Sequence, residues 1–200
     1  MFHSQTGGKV MDIFTTIRER RSCRSFLPDP ISDEVIEKIL EAAVWAPSAA
    51  NNQPWEFIVI TNKSVKKEIS SESEKCRKIL FEKSGWKWVD RYRINFLEEA
   101  PVVIAVVGDP QKTGADMFLE GGGLAYRDGC AAAIQNLLLA ARALELGTLW
   151  FTLFDKEVIR RILKLDKIKE PLALICLGKA GTATAPPPRK GVAEKTIYLR

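Results

Sequence analysis

The run Pro101-Val102-Val103-Ile104-Ala105-Val106-Val107 constrains the fold of this chain more than any other stretch. After the proline, every side chain but Ala105 is β-branched. Such side chains have few rotamers and pack well on a pleated surface. An apolar run without polar alternation predicts a strand buried on both faces. Residues 126–144 read as a long helix, apolar nearly all round, which places that helix centrally as well.

The remaining elements follow from capping and periodicity. Asp12 caps a helix whose apolar positions include Ile13, Phe14 and Ile17. Leu27-Pro28-Asp29-Pro30 breaks the chain. Ser32 is suited to cap the next helix, with Asp33 and Glu34 in its first turn. Val35, Ile36, Ile39, Leu40, Ala43 and Val44 keep helical spacing up to Ala46. Further strands are expected at 57–60, 149–154 and 172–177, with a terminal strand at 195–199. A surface helix is expected at 64–83 and a short one at 156–165. There is no internal repeat and no second composition class. The expectation is one α+β domain over residues 11–200, with a sheet of about four or five strands and several helices. Residues 1–10, polar and glycine-containing, read as a flexible leader.

Composition excludes more than it assigns. At 200 residues the chain is long enough for one domain with a real core. The net charge of +5 is modest, and in 63–83 lysines alternate with glutamates, as on a solvated helix face rather than a nucleic-acid stripe. No apolar run is long enough to span a membrane; even 131–143 contains Gln135, Asn136 and Arg142. With no long apolar signal region at the N-terminus, the expected location is the cytoplasm. The cysteines, Cys23, Cys76, Cys130 and Cys176, form no CxxC pair, so they signal no zinc site and no disulfide framework. They read as reduced, mostly buried thiols. The single histidine is His3. Histidine-based triads, metal sites and acid–base work are therefore disfavoured, and an enzyme of this composition leans on a cofactor.

Three clusters carry ligand-type chemistry. Pro47-Ser48-Ala49-Ala50-Asn51-Asn52-Gln53-Pro54-Trp55 lies between a helix and a strand, with a proline near each end. Its small residues let a flat ligand approach the backbone. Ser48, Asn51, Asn52 and Gln53 offer donors and acceptors without charge, as a planar heterocycle requires. The competing reading is an ordinary polar loop. Arg20-Arg21-Ser22-Cys23-Arg24 places guanidiniums and a hydroxyl at a helix end. That suits a phosphate dianion, and it equally suits a solvated basic terminus. Arg189-Lys190 follows three prolines that hold the backbone extended, and offers a further cation. Neither a GxGxxG following a strand nor a GxxxxGK[ST] motif occurs. Gly121-Gly122-Gly123 follows no strand and reads as a joint.

In this order and spacing the motifs resemble the flavin-binding signature of the nitroreductase family. The resemblance rests on Arg20-Arg21-Ser22-x-Arg24-x-Phe26 and on residues 47–55. It continues through Gln135-Asn136-Leu137-Leu138-Leu139-Ala140-Ala141, Leu146-Gly147-Thr148-Leu149-Trp150 and Arg189-Lys190, covering nearly everything from Met11 onward. It implies a three-layer α+β fold, a central mostly antiparallel sheet flanked by helices, in an intertwined homodimer with FMN at the subunit interface. It implies hydride transfer from NADH or NADPH, then reduction of a nitroaromatic, quinone or similar acceptor by a ping-pong mechanism.

Residue by residue, the resemblance puts Arg20 and Ser22 on the FMN phosphate, with Arg21, Arg189 and Lys190 beside them. Arg24 goes near N1 and the C2 carbonyl. Trp150 and the backbone of Phe151-Thr152-Leu153 go beside the ring, with Thr152 near N5. The other subunit would supply Pro47, Ser48, Ala49 and Asn51, and Gln53 would help orient the ring. The terminal strand would embrace the partner. Glu145 and the bulky Phe151-Thr152-Leu153 stand where many relatives have glycine, which bears on the pocket floor and not on the cofactor. Residues 84–96, with Trp86, Trp88 and Tyr92, form a candidate lid, or simply pack onto the body. Cys23 is a packed thiol or a redox group. Rival functions on the same fold are flavin fragmentation and reductive dehalogenation, and a deazaflavin is a rival electron source. A non-catalytic flavin store is the rival from another class.

Overall fold

Strands β1 (Trp55–Ile60), β2 (Val102–Gly108), β3 (Gly147–Phe151) and β4 (Glu170–Gly178) form one sheet in the order β1-β2-β4-β3, every neighbouring pair antiparallel. The coordinates are a computed structural model that describes residues 11–182 and 185–200. The leader expected at 1–10 lies outside the described residues.

β2 is buried along its whole length, as its unbroken apolar run requires. Its side chains part to opposite faces with the strand period of two residues. Val102, Ile104 and Val106 join Ala173, Ile175 and Leu177 on one face, and Val103 and Ala105 join Leu174 and Cys176 on the other. The register of β2 on β4 shifts between Val106 and Val107, opposite Ala173 and Pro171. Pro171 has no N–H to give to the ladder, which makes a bulge the natural place for it.

The first face is covered by α2 (Asp33–Val44) and α6 (Ala125–Ala143). The second is covered by α3 (Lys63–Ser84), α5 (Phe96–Glu99) and α7 (Lys156–Ile162). Helices α1 (Ile13–Glu19) and α4 (Lys87–Asp90) complete the seven among the described residues. In α6 the buried set is Tyr126, Gly129, Cys130, Ala133, Ile134, Leu137, Leu138 and Ala141, a helical stripe, while Gln135 is exposed. Asp12 caps α1 as expected, accepting from the N–H groups of Phe14 and Thr15. Ser32 occupies the N-cap of α2 without a side-chain cap bond.

Two expectations need correction. β3 begins at Gly147 and stops at Phe151, so residues 152–154 leave the sheet. Residues 195–199 form no strand: Ile197 is 88% and Leu199 96% exposed. A strand needs a neighbour for its backbone groups. Among the described residues no other segment lies beside 195–199.

Candidate functional site

The loop after α2 is held in an unfavourable shape. Ala50, Asn51 and Gln53 all have left-handed backbones, with φ of 50°, 55° and 46°. Asparagine tolerates this region, but such positions cost of order 1–3 kcal/mol each and persist only when their surroundings enforce them. The enforcement is visible. Ser48 Oγ accepts from the Gln53 N–H at 3.0 Å, and Gln53 Nε2 donates to Asn51 Oδ1 at 3.4 Å. Pro54 O accepts from the Asp109 N–H at 2.8 Å. A Cβ on Gly114 would stand 2.8 Å from that of Ala49, so the loop after β2 closes directly on this turn. Pro47, Ala49, Asn51 and Gln53 nevertheless remain exposed. The loop is strained, pinned and open.

The arginine cluster leaves α1 and fastens onto the edge of the sheet. Ser22 bridges Thr148 of β3 in parallel, and the Cys23 N–H donates to Thr148 O at 2.8 Å. Burial, then the guanidiniums of Arg189 and Arg21, push the Arg20 pKa below its usual value. Cations from both ends of the chain therefore gather at Arg20. Arg20, Arg21, Cys23, Arg142, Gly147 and Thr148 line a cleft of about 220 Å³ there. Glu19, at its rim, is taken by Arg142 at 2.6 Å. Arg21 turns one guanidinium nitrogen back onto the carbonyls of Arg18 and Arg20. Cys23 is 3% exposed, and its thiol donates to Ser25 O at 2.9 Å. It is a packed thiol.

Along β3 the residues divide by face. Trp150 pairs with Ile175 and so faces α6, whereas Phe151 packs into the opposite core. Trp150 and Thr152 line a second cleft of about 380 Å³ with Asp128, Ala131, Phe154 and Lys156. Thr148 and Trp150 are two residues apart on one strand face, so β3 contributes to both clefts. Leu153 is half-buried against the far core, so Phe151 and Leu153 offer this side only backbone. Arg189 and Lys190 are exposed. Among the described residues no hydrogen bond joins loop 47–55 to the arginine cluster.

The segment 84–96 forms a ladder of aromatic contacts. Trp86 stacks on Trp88 at 5.9 Å, Trp88 meets Tyr92 edge-on at 6.0 Å, and Tyr92 meets Phe96 at 6.0 Å. Phe96 in turn touches Phe151 at 5.3 Å. Arg77 of α3 donates to the carbonyls of Val89 and Asp90, both at 2.9 Å, which anchors α4. Arg24 Nε donates to Tyr92 Oη at 3.3 Å. Trp86 and Trp88 stay more than half exposed, so packing alone does not account for them.

Two polar clusters escaped the sequence reading, the first beside the second cleft through Arg127 and Lys156. Glu170 accepts hydrogen bonds from Tyr126 Oη, Lys156 Nζ and Arg127, the last at 2.9 Å. Burial alone would raise its carboxyl pKa; the bonds from Lys156 and Tyr126 outweigh burial and hold it below the usual range. The only sequence signal is a carboxylate at the head of an apolar strand. Asp116 accepts from the N–H groups of Gly123, Leu124 and Ala125 at 2.8–3.0 Å and from Thr113 Oγ1, tying the glycine run to the start of α6.

Residues 17–179 match the model of the nitroreductase family. The chain is 33% identical over 168 residues to an Archaeoglobus fulgidus protein named "Putative NADH dehydrogenase/NAD(P)H nitroreductase", covering 81% of this chain and 82% of that one. It is 29% identical over 169 residues to the 5,6-dimethylbenzimidazole synthase of Rhodospirillum rubrum, covering 80% and 77%. A protein from Desulfovibrio desulfuricans, crystallised in complex with FMN, superposes with a TM-score of 0.70 at 26% identity, covering 94% of this chain and 96% of its own.

Proposed function

This chain belongs to the nitroreductase family, and on that premise we propose that it is an FMN-dependent oxidoreductase that oxidises NADH or NADPH and reduces a nitroaromatic, quinone or related acceptor. The observation that carries this reading is the meeting of Arg20 and Arg21 at one cleft, with Arg189, from the far end of the sequence, near enough to help push the Arg20 pKa down. Cations brought together at a partly buried site call for an anion with more than one charge. The FMN phosphate fits that demand. The strained amide loop, exposing Asn51 and Gln53, fits a flat ring with carbonyls and ring nitrogens.

FMN held there would supply the redox chemistry, accepting hydride from a nicotinamide and giving electrons to an acceptor. In this reading Arg20, Ser22 and Arg189 hold the phosphate, and Arg21 and Lys190 add to the local field. Arg24 stabilises negative charge on the N1 and C2-carbonyl side of the ring. The backbone N–H of Thr152 would be a donor for N5. Trp150 and the backbone of Phe151 and Leu153 border the ring. Pro47, Ser48, Ala49, Asn51 and Gln53 serve the flavin of a second subunit in a homodimer. Support for a dimer comes from Trp45, which is 81% exposed immediately before this loop, and from the exposed Phe14 and Ile197. Trp86, Trp88 and Tyr92 bound the acceptor. The histidine complement is His3 alone, so protons come from water or from the substrates.

The test is an absorbance spectrum of the purified protein followed by anaerobic titration with each nicotinamide. A yellow protein whose colour bleaches with NADH or NADPH is expected. A protein that binds FMN and is bleached by neither overturns the nicotinamide part. The likeness to a 5,6-dimethylbenzimidazole synthase supports a second reading, flavin fragmentation. Product analysis after aerobic reduction of the flavin separates the two.

A further inference from the structure

The candidate lid and the arginine cluster meet at one side chain, Tyr92. Arg24 Nε donates to its hydroxyl at 3.3 Å, and the guanidinium stands 5.7 Å from its ring centroid. Among the described residues Arg24 otherwise donates only to the carbonyl of Ser22, at 3.4 Å. Among the described residues no carboxylate pairs with it. An arginine side chain has about 2 kcal/mol of rotamer entropy to lose, so an exposed one without a partner samples many positions. Among the described residues Tyr92 is the one side chain that narrows that choice.

Tyr92 is itself fixed from behind. Its ring lies edge-on between Trp88 and Phe96, each at 6.0 Å. Phe96 is fully buried and locked against Phe151 of β3. The Tyr92 N–H donates to Val89 O at 3.1 Å, and Arg77 ties that carbonyl to α3. The hydroxyl is therefore set by core contacts that do not involve Arg24.

We propose that Tyr92 is a positioning residue: its hydroxyl holds the Arg24 guanidinium in the orientation that stabilises reduced flavin, so residues 84–96 set the reduction potential as well as covering the site. This rests on the placement of Arg24 proposed above. Two-electron reduction with one proton taken up at N5 leaves a negative charge on the N1 and C2-carbonyl side. A cation already fixed there favours the reduced form without reorganising during the reaction. A cation free to wander favours it less.

The test measures the midpoint potential of bound FMN in the holoprotein against reference dyes. It uses wild type, Tyr92→Phe, Arg24→Gln and the double variant. Phenylalanine keeps the ring contacts with Trp88 and Phe96, and an unchanged melting temperature verifies the fold. Tyr92→Phe is expected to shift the equilibrium about tenfold toward oxidised flavin, or about 30 mV for a two-electron couple. Arg24→Gln is expected to lower the potential at least as far, and the double variant no further than Arg24→Gln. An unchanged potential in Tyr92→Phe beside a lowered one in Arg24→Gln overturns the proposal. So does a further drop in the double variant, which shows the hydroxyl acting without Arg24. If neither single variant moves the potential, the placement of Arg24 falls and the proposal with it. A protein that binds no FMN overturns the proposed function itself.

Discussion

Gly129 of α6 meets Ser48 of the amide loop so closely that a Cβ on the glycine would stand 3.3 Å from the serine Cβ, and 3.2 Å from Pro54 Cγ. The helix therefore serves as the platform on which the strained loop rests. Gly129→Ala sets two effects against each other. Alanine improves helix propensity by about 0.8–1 kcal/mol, while the methyl group pushes the loop outward by a few tenths of an ångström. The expected outcome is a melting temperature within a few degrees of wild type. The loop, not the fold, bears the cost, so FMN affinity should fall about fivefold, roughly 1 kcal/mol. Calorimetry and flavin fluorescence on the same sample check both.

Arg20→Ala removes the cation on which the cluster converges. Charge-assisted hydrogen bonds are worth about 1.5–3 kcal/mol, so FMN affinity should weaken about 10- to 150-fold. Arg189→Ala should act in the same direction with a smaller effect, since Arg189 is more exposed. Riboflavin, which lacks the phosphate, is the control. Its affinity should not change in either variant, and an equal loss for both ligands rules out a phosphate role for Arg20.

Glu170 makes acid stability a readout of its cluster. Its folded pKa lies below the unfolded value, so its contribution is complete above an unfolded pKa of about 4.3 and disappears as pH falls through the folded value. Thermal melts between pH 7 and pH 3 should show Glu170→Gln less stable at neutral pH, by about 1–3 kcal/mol. The gap should close toward the acid end, because protonated glutamate and glutamine carry the same charge. A gap of constant size would show that the charge on Glu170 does not matter.

The thiols should prove inert. Burial pushes Cys130 up to about 12 and Cys76 up to about 11, and raises Cys176 as well. Cys23, Cys130 and Cys176 are buried. A thiol-reactive dye at neutral pH should label native protein slowly and mainly at Cys76, and all four cysteines on unfolding. Rapid labelling at Cys23 would reopen a redox role for it.

The sequence was most readable where one physical constraint dominated. The run at 102–107 has no polar position, so burial of β2 followed at once, and the helical spacing of Val35 to Val44 left α2 with one possible face. Topology was not readable. Pairing β2 with β4 joins residues some seventy positions apart, and nothing local in either strand records its neighbour. The amide loop was found by composition, yet the left-handed φ of Ala50 has no signature, because alanine is no turn former. The terminal segment failed for the opposite reason. Thr196, Ile197 and Tyr198 satisfy strand propensity, but propensity supplies no neighbouring backbone. Glu170 and Asp116 were missed because a carboxylate's partners lie wherever the fold brings them.

The order β1-β2-β4-β3 leaves β3 at the margin of the sheet, with one row of backbone groups turned away from β4. The arginine cluster meets that margin at one point, Ser22 and Cys23 against Thr148, and Phe26 and Leu27 then lie against Ala180 and Lys179, just beyond the end of β4. An unprotected sheet margin is a template for aggregation. The segment that covers the margin at Thr148 thus also lines the neighbouring cleft, through Arg20, Arg21 and Cys23. A chain in which that segment comes loose exposes its stickiest backbone, so solubility on storage should follow ligand occupancy at the cleft.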